Sequence, residues 1–142
     1  MKSIFFLLFI LMLSSCSGNS DVERNCNFLL DINVQVSIDL NLPQYGQLAF
    51  AGNSVYIPNV GNAGVIVAST GADFFAWDAS DPNHAPNDCS AIIPNGLNGS
   101  CGCNDGNTYN FITGTPQDND GLRCSLRNYR IEQNGSILNI FN

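Results

Sequence analysis

The run "DINVQVSIDLNL", Asp31 to Leu42, constrains the fold more than any other stretch of the chain. Ile32, Val34, Val36, Ile38, Leu40 and Leu42 alternate without interruption against Asn33, Gln35, Ser37, Asp39 and Asn41. In a pleated strand successive side chains point to opposite faces, so a period of two makes one face apolar and the other polar. A helix would scatter the same residues around its circumference. The spacing predicts a long strand over 31–42, buried on one side and wet on the other.

After Pro43 the chain breaks into short runs bounded by Gly, Asn or Asp. "QLAF", "SVYIP", "AGVIVAST" and "DFFAWDA" come first, and "NGLNGSC" and "NTYNFITG" follow. "SLRNYRIEQ" and "SILNIFN" close the chain and meet at Asn134-Gly135. That dipeptide suits a two-residue hairpin turn because both central positions tolerate positive φ. About nine short strands with such spacing read as a small all-β antiparallel sandwich or barrel. No later segment has a helical period, and neither an internal repeat nor a second domain is visible. The length suits one domain around one core.

The first residues, "MKSIFFLLFILMLSSC", carry an address. The apolar run from Ile4 to Leu13 is shorter than the ~20 residues a membrane-spanning helix needs, and reads as the core of a signal peptide. Leu13-Ser14-Ser15-Cys16 resembles the bacterial lipobox, in which the cysteine becomes the lipidated first residue of the mature chain. This divides the sequence into a lipoprotein signal peptide (1–15), a lipidated, small and polar tether (16–25) and an all-β domain (26–142). It predicts a lipid-anchored protein of the bacterial cell envelope, facing a membrane through its lipid and an envelope protein as partner. Ser17 stands where some bacteria use aspartate to retain lipoproteins at the inner membrane, so the outer membrane is favoured by analogy. After Cys16 only Arg24, Arg123, Arg127 and Arg130 are basic; four against twelve Asp and Glu leave minus eight. Nucleic-acid binding requires a basic footprint, which is absent, and so is a polybasic membrane patch.

Apart from Cys16 the chain has Cys26, Cys89, Cys101, Cys103 and Cys124. In an oxidising compartment these read as two disulfides and one odd thiol. Spacing alone leaves the connectivity open: adjacent loops could bring Cys89 to Cys101 or to Cys103, with Cys26 and Cys124 as a possible second pair.

From Gly52 onward the order of features resembles the Rieske iron–sulfur domain. "AGVIVASTGADFFAWDASDPNH" is similar to the paired strands leading into that family's first cluster loop, with Phe75-Ala76-Trp77-Asp78 as its aromatic-Ala-aromatic-Asp strand. "CGCNDGNTYNFITGTP" resembles the second loop and following strand, usually a Cys-Pro-Cys-His-Gly stretch running on to Tyr or Phe and Thr-Gly. "SLRNYRIEQNGSILNI" resembles the closing hairpin. The resemblance spans roughly 52–142 and implies a Rieske-like fold; the strand at 31–42 lies outside it. It also implies that Cys89 and Cys103 pair across the two loops, as in respiratory members of the family.

The ligands depart from the pattern. A Rieske centre takes Cys-x-His from the first loop and Cys-x-x-His from the second. Here Asp81, Pro82 and Asn83 stand at the first triplet, with His84 one residue late. Cys101 fits the second cysteine, while Asn104, or Asp105 in an alternative alignment, stands for the histidine. His84 is the only histidine in the chain, so two histidine ligands cannot come from it. These degenerate cluster-loop positions lead to the expectation of no cofactor and no metal. The alternative is electron transfer through a two-iron two-sulfur cluster held by cysteines alone. His84, with Asp81, Asp88 and Cys89 nearby in sequence, is read as a solvated loop histidine beside a disulfide rather than a mononuclear metal ligand or half of a Cys-His pair. No Ser-His-Asp set can be argued from spacing, so an enzyme is not the favoured reading. "QDNDG", Gln117 to Gly121, lacks the full ligand series of a calcium loop and reads as an acidic turn. A binding or assembly module is expected to show exposed aromatic or apolar residues around the cluster-loop tip.

Overall fold

The computed structural model describes residues 26–118 and 121–142. The signal peptide and tether assigned to 1–25, including Cys16, lie outside the described residues, as do two positions of the 117–121 turn. Among the described residues there are ten strands: β1 (Gln35–Asp39), β2 (Asn53–Ile57), β3 (Val65–Ser69), β4 (Phe74–Asp78), β5 (Ile92–Asn95), β6 (Asn98–Cys101), β7 (Thr108–Asn110), β8 (Pro116–Gln117), β9 (Asn128–Asn134) and β10 (Ile137–Phe141). They form a six-stranded sheet ordered β1-β10-β9-β4-β3-β2 and a four-stranded sheet ordered β5-β6-β7-β8, with every pairing antiparallel.

The alternation predicted at 31–42 is present but the strand is shorter. Val34 and Ile38 are buried, while Asn33, Gln35 and Ser37 are exposed. Ahead of β1 the Asn142 side chain substitutes for a strand partner: its Oδ1 accepts from Val34 N at 2.8 Å and its Nδ2 donates to Ile32 O at 2.9 Å. Beyond Asp39 the chain turns, because Asp39 Oδ1 accepts from Asn41 N and Asp39 O from Leu42 N. A side chain that hydrogen-bonds its own downstream backbone competes with the ladder and ends it. "QLAF" is a 3-10 turn over Gly46–Ala49 rather than a strand, and it buries Leu48. β5 and β8 carry no alternation that separates them from loop, and neither is visible in the sequence.

Two cores replace the single one expected. β3 is buried along its whole length, because its two faces look into different interiors. Val65 and Val67 join Val34, Ile38, Val55, Tyr129 and Leu138 inside the large sheet. Ile66 and Ala68 face the small sheet with Trp77, Ile92, Tyr109 and Phe111. A strand covered on both faces reads as a continuous apolar run, which "VIVAS" nearly is. Trp77 fastens the two sheets, its Nε1 donating to Phe111 O at 2.8 Å.

Gly114 lies flat against that indole. Its φ is +72°, and a Cβ added there would sit 2.4 Å from Trp77 Cζ3. Gly114→Ala is therefore expected to lower the unfolding free energy by roughly 2–4 kcal/mol, combining left-handed strain with core overlap. Urea unfolding followed by the fluorescence of Trp77, the chain's single tryptophan, checks this directly.

Candidate functional site

Two loops at one end of the small sheet carry the residues singled out by sequence. The first, 81–90, leaves β4 and is closed at its base by the Ser80–Ala91 bridge and by Asp81 N donating to Ser90 O at 2.9 Å. The second, 102–107, links β6 to β7 and is closed by Cys101 N donating to Asn107 O at 2.9 Å. Gly102 lets the loops touch: a Cβ there would stand 2.6 Å from Cys89 O. Beside it Cys89 and Cys103 are disulfide-bonded, 14 residues apart in sequence. A second disulfide joins Cys26 to Cys124 across 98 residues, and Cys101 is left as a buried free thiol. In the loop-entropy picture these closures are worth about 3 and about 4.7 kcal/mol.

Beneath the disulfide lies a buried polar network centred on Asp81 and Asn83. Asp81 Oδ1 accepts from Tyr109 Oη and from Asn83 N, and Asp81 Oδ2 accepts from Asn107 Nδ2 at 2.8 Å. Asn83 uses its whole amide. Its Nδ2 donates to Tyr109 Oη at 2.9 Å and to Cys124 O at 2.6 Å, while its Oδ1 accepts from Cys124 N at 2.9 Å and Arg123 N at 3.2 Å. Burial, and then the hydrogen bond to Asp81, push the Tyr109 phenol above its ordinary pKa and keep it a donor. A buried charge is tolerable only when hydrogen-bonded in this way. A parallel arrangement holds Asp78, whose Oδ2 accepts from Tyr129 Oη at 2.6 Å and from Asn62 N and Nδ2, each at 2.9 Å.

The remaining predicted positions fall at the outer edge. Asn104 and Asp105 are exposed, and Asp105 Oδ1 accepts from Asn107 N at 3.0 Å. His84 is half-buried rather than freely solvated: its side chain is 17% exposed, and its Nε2 lies 3.8 Å from Asp105 Oδ2. Burial, with lesser contributions from Asp105 and Asp81, pushes the Cys101 thiol up to about 12. The sequence reading missed Asn107 and Gly102. Neither carries a motif of its own, since the role of each appears only when the second loop lies against the first. The apolar tip expected of a binding module is also not there. Among the described residues the exposed large apolar side chains are Leu30, Leu42, Phe50, Tyr56, Ile93 and Ile112, and none lies in either loop.

A two-iron two-sulfur cluster needs two cysteines and two histidines, or four cysteines. The donors present do not fit either set. The chain has one histidine, and among the described residues four cysteines are paired, leaving Cys101 alone as a thiol. At the first-loop triplet, Asp81 and Asn83 turn their polar atoms to protein donors and acceptors.

A chain from the complex of reduced oxygenase and oxidized ferredoxin in carbazole 1,9a-dioxygenase superposes on this one with a TM-score of 0.50. The two are 18% identical over 76% of this chain and 93% of that chain. The fold is Rieske-like. At that identity the likeness concerns the fold alone. No family model and no curated protein sequence matches the chain.

Two outcomes are expected of this Rieske-like end. Asn83→Ala removes the side-chain partner of the Cys124 backbone and one of the two hydrogen bonds at Tyr109 Oη, and should cost about 2–4 kcal/mol in urea unfolding, because lost bonds in a buried polar network are expensive. Cys101 should resist alkylation from pH 7 to 10 in the native protein yet react readily in denaturant, where thiols ionise near pH ~8.5. Because its folded pKa is raised to about 12, the thiol's contribution to stability is complete below the unfolded pKa and is lost as pH rises toward the folded one.

Proposed function

We propose that the chain is a lipid-anchored protein of the bacterial cell envelope whose Rieske-like domain carries no iron–sulfur cluster and works as a binding or assembly module. The observation that carries the reading is the Asp81–Tyr109–Asn83–Cys124 network, which engages inwardly the positions where cluster ligands are expected by resemblance. A ligand atom has to present a lone pair to the metal. Asn83 has none to spare, and its amide is a poor donor to iron in any case.

Three features support a scaffold. The disulfide Cys89–Cys103 cross-links the two loops covalently, and Gly102 lets them meet. The second disulfide fixes Cys26, next to the tether, to the segment gripped by Asn83. The tip itself is polar, so a partner engaging it would do so through hydrogen bonds and charge rather than through an apolar plug. The exposed apolar residues lie on the flank instead, where Tyr56, Ala91, Ile92, Ile93 and Pro94 line a shallow groove.

The test is made on the full-length protein purified from membranes with its disulfides intact. Iron, acid-labile sulfide, visible absorption and free thiols are measured together. A colourless protein with one alkylatable thiol after denaturation is expected. Iron and sulfide near stoichiometry, with charge-transfer bands, overturns the reading in favour of electron transfer. In the same cells Cys16→Ser should abolish incorporation of labelled fatty acid; retained label would remove the lipid anchor at that residue.

A further inference from the structure

The two loops bring metal-ligating atoms together at the outer border of the network. Ligating atoms of Asp81, Cys101 and Asp105 lie within 4.8 Å of one another, and His84 Nε2 is 3.8 Å from Asp105 Oδ2. His84, Cys103 and Asp105 also cluster, but the Cys103 sulfur is spent in the disulfide and offers no thiolate.

Orientation distinguishes this group from a chance gathering of acids. His84 Nδ1 lies 2.7 Å from Ala85 O. A carbonyl oxygen can only accept, so Nδ1 carries a proton and Nε2 is the ring nitrogen turned towards Asp105. A histidine held this way, with its second nitrogen donating to a backbone carbonyl, has the usual posture of a metal ligand. Nε2 and the Asp105 oxygen face each other at 3.8 Å, a pairing that either a ring proton or a metal cation between them satisfies. Asn107 aims both carboxylates, its Nδ2 holding Asp81 Oδ2 and its backbone N holding Asp105 Oδ1. Each carboxylate keeps a lone pair beyond these bonds, since an ionised oxygen can accept twice.

We propose that Asp81, Cys101, Asp105 and His84 form a mononuclear site for a zinc-like divalent transition-metal ion. This rests on the reading that Cys101 does not carry an iron–sulfur cluster. One thiolate, one imidazole and two carboxylates make a four-ligand set of the kind zinc accepts, whereas calcium and magnesium call for oxygen alone. Zinc bonds place neighbouring ligand atoms roughly 3.3–3.8 Å apart, so on loading the Asp81–Cys101–Asp105 group contracts and His84, which meets it through Asp105, moves in. Asp81 and Cys101 are buried and fixed, while His84 and Asp105, with side chains 17% and 23% exposed, form the open face and make that adjustment. On binding, the Cys101 S–H proton leaves to solvent and a sulfur–metal bond takes its place; nothing is oxidised or reduced.

Cobalt(II) is the probe, titrated into the full-length disulfide-bonded protein. One equivalent should bind with a thiolate-to-cobalt charge-transfer band and the intense ligand-field bands of a four-coordinate ion, and zinc should displace it. Cys101→Ser should abolish the charge-transfer band. His84→Ala and Asp105→Asn should weaken binding at least tenfold while Trp77 fluorescence shows an intact fold, and Asp88→Asn should change nothing. Absence of the band in the wild type, or equal affinity in the Cys101 and Asp105 variants, overturns the site. A colourless, iron-free protein that refuses cobalt sinks this inference alone, whereas iron with sulfide in the isolated protein sinks the cluster-free reading beneath it.

Discussion

A carboxylate sealed from water has to find its donors inside the protein, and Asp81 imposes that demand on three parts of the chain at once. Tyr109 comes from β7, Asn107 from the second loop, and Asn83 N from the turn that Asp81 itself begins. Asn83 then extends the network to Cys124, gripping its backbone from both sides. Residues 122–126 alternate buried and exposed like a strand, yet they lie ahead of β9 and outside both sheets. A side-chain amide supplies the hydrogen bonds that a neighbouring strand would otherwise give. Through the Cys26–Cys124 disulfide the same contacts also fix where the N-terminal segment joins the domain.

The partition into two cores explains why such a network can exist without loosening the fold. The interior formed by β1, β2, β9 and β10 with one face of β3 and β4 is apolar apart from Ser69 and the Asp78 group at its ends. The loops are carried by the other interior, where Trp77, Phe111 and Tyr109 pack against the small sheet. Trp77 is the rivet, with its ring in that core, its Nε1 on Phe111 O and Gly114 pressed to its face. Changes at the loop end therefore strain the small sheet first, while the large sheet keeps its own buried area. Separating a rigid support from a variable end is how loops come to carry function on a conserved architecture.

Much of this was legible in the sequence where a local rule had no competitor. The faultless alternation at 32–38, the Asn134-Gly135 turn and the bounded aromatic run at 74–78 each state their structure in their own residues. The all-β Rieske-like fold was readable because those signals occur in the right order. Failures came where distant parts of the chain decide. "QLAF" has the composition of a strand, but Gly46 and the turn after Pro43 leave it no partner, and it closes as a 3-10 turn instead. β5 and β8 exist only because β6 and β7 offer edges to pair with. At the loops the sequence marked Asp81 and Asn83 as departures from a pattern and Cys101 as a match to it, and of the departures it could say what they are not. Their actual roles depend on Asn107 and Tyr109, 26 and 28 residues downstream of Asp81. No periodicity connects those positions.

The loop end also shows how cross-links of different chemistry divide one task. On the proposed reading no cluster joins the loops, and the disulfide by itself constrains only their outer arms at Cys89 and Cys103. A single covalent bridge leaves a hinge, because each loop could still rotate about it. The Asp81–Tyr109 and Asp81–Asn107 hydrogen bonds lie on the inner side of that bridge and remove the rotation. The margin where His84 and Asp105 face each other carries fewer ties, with His84 Nδ1 beside Ala85 O and Asp105 Oδ1 accepting from Asn107 N. Rigid inner donors with less tied outer ones are a demanding arrangement for a redox centre, which needs fixed geometry in both oxidation states. A cation that changes neither charge nor geometry in use makes no such demand, and that is the kind of ion the proposed site would ask these two loops to hold.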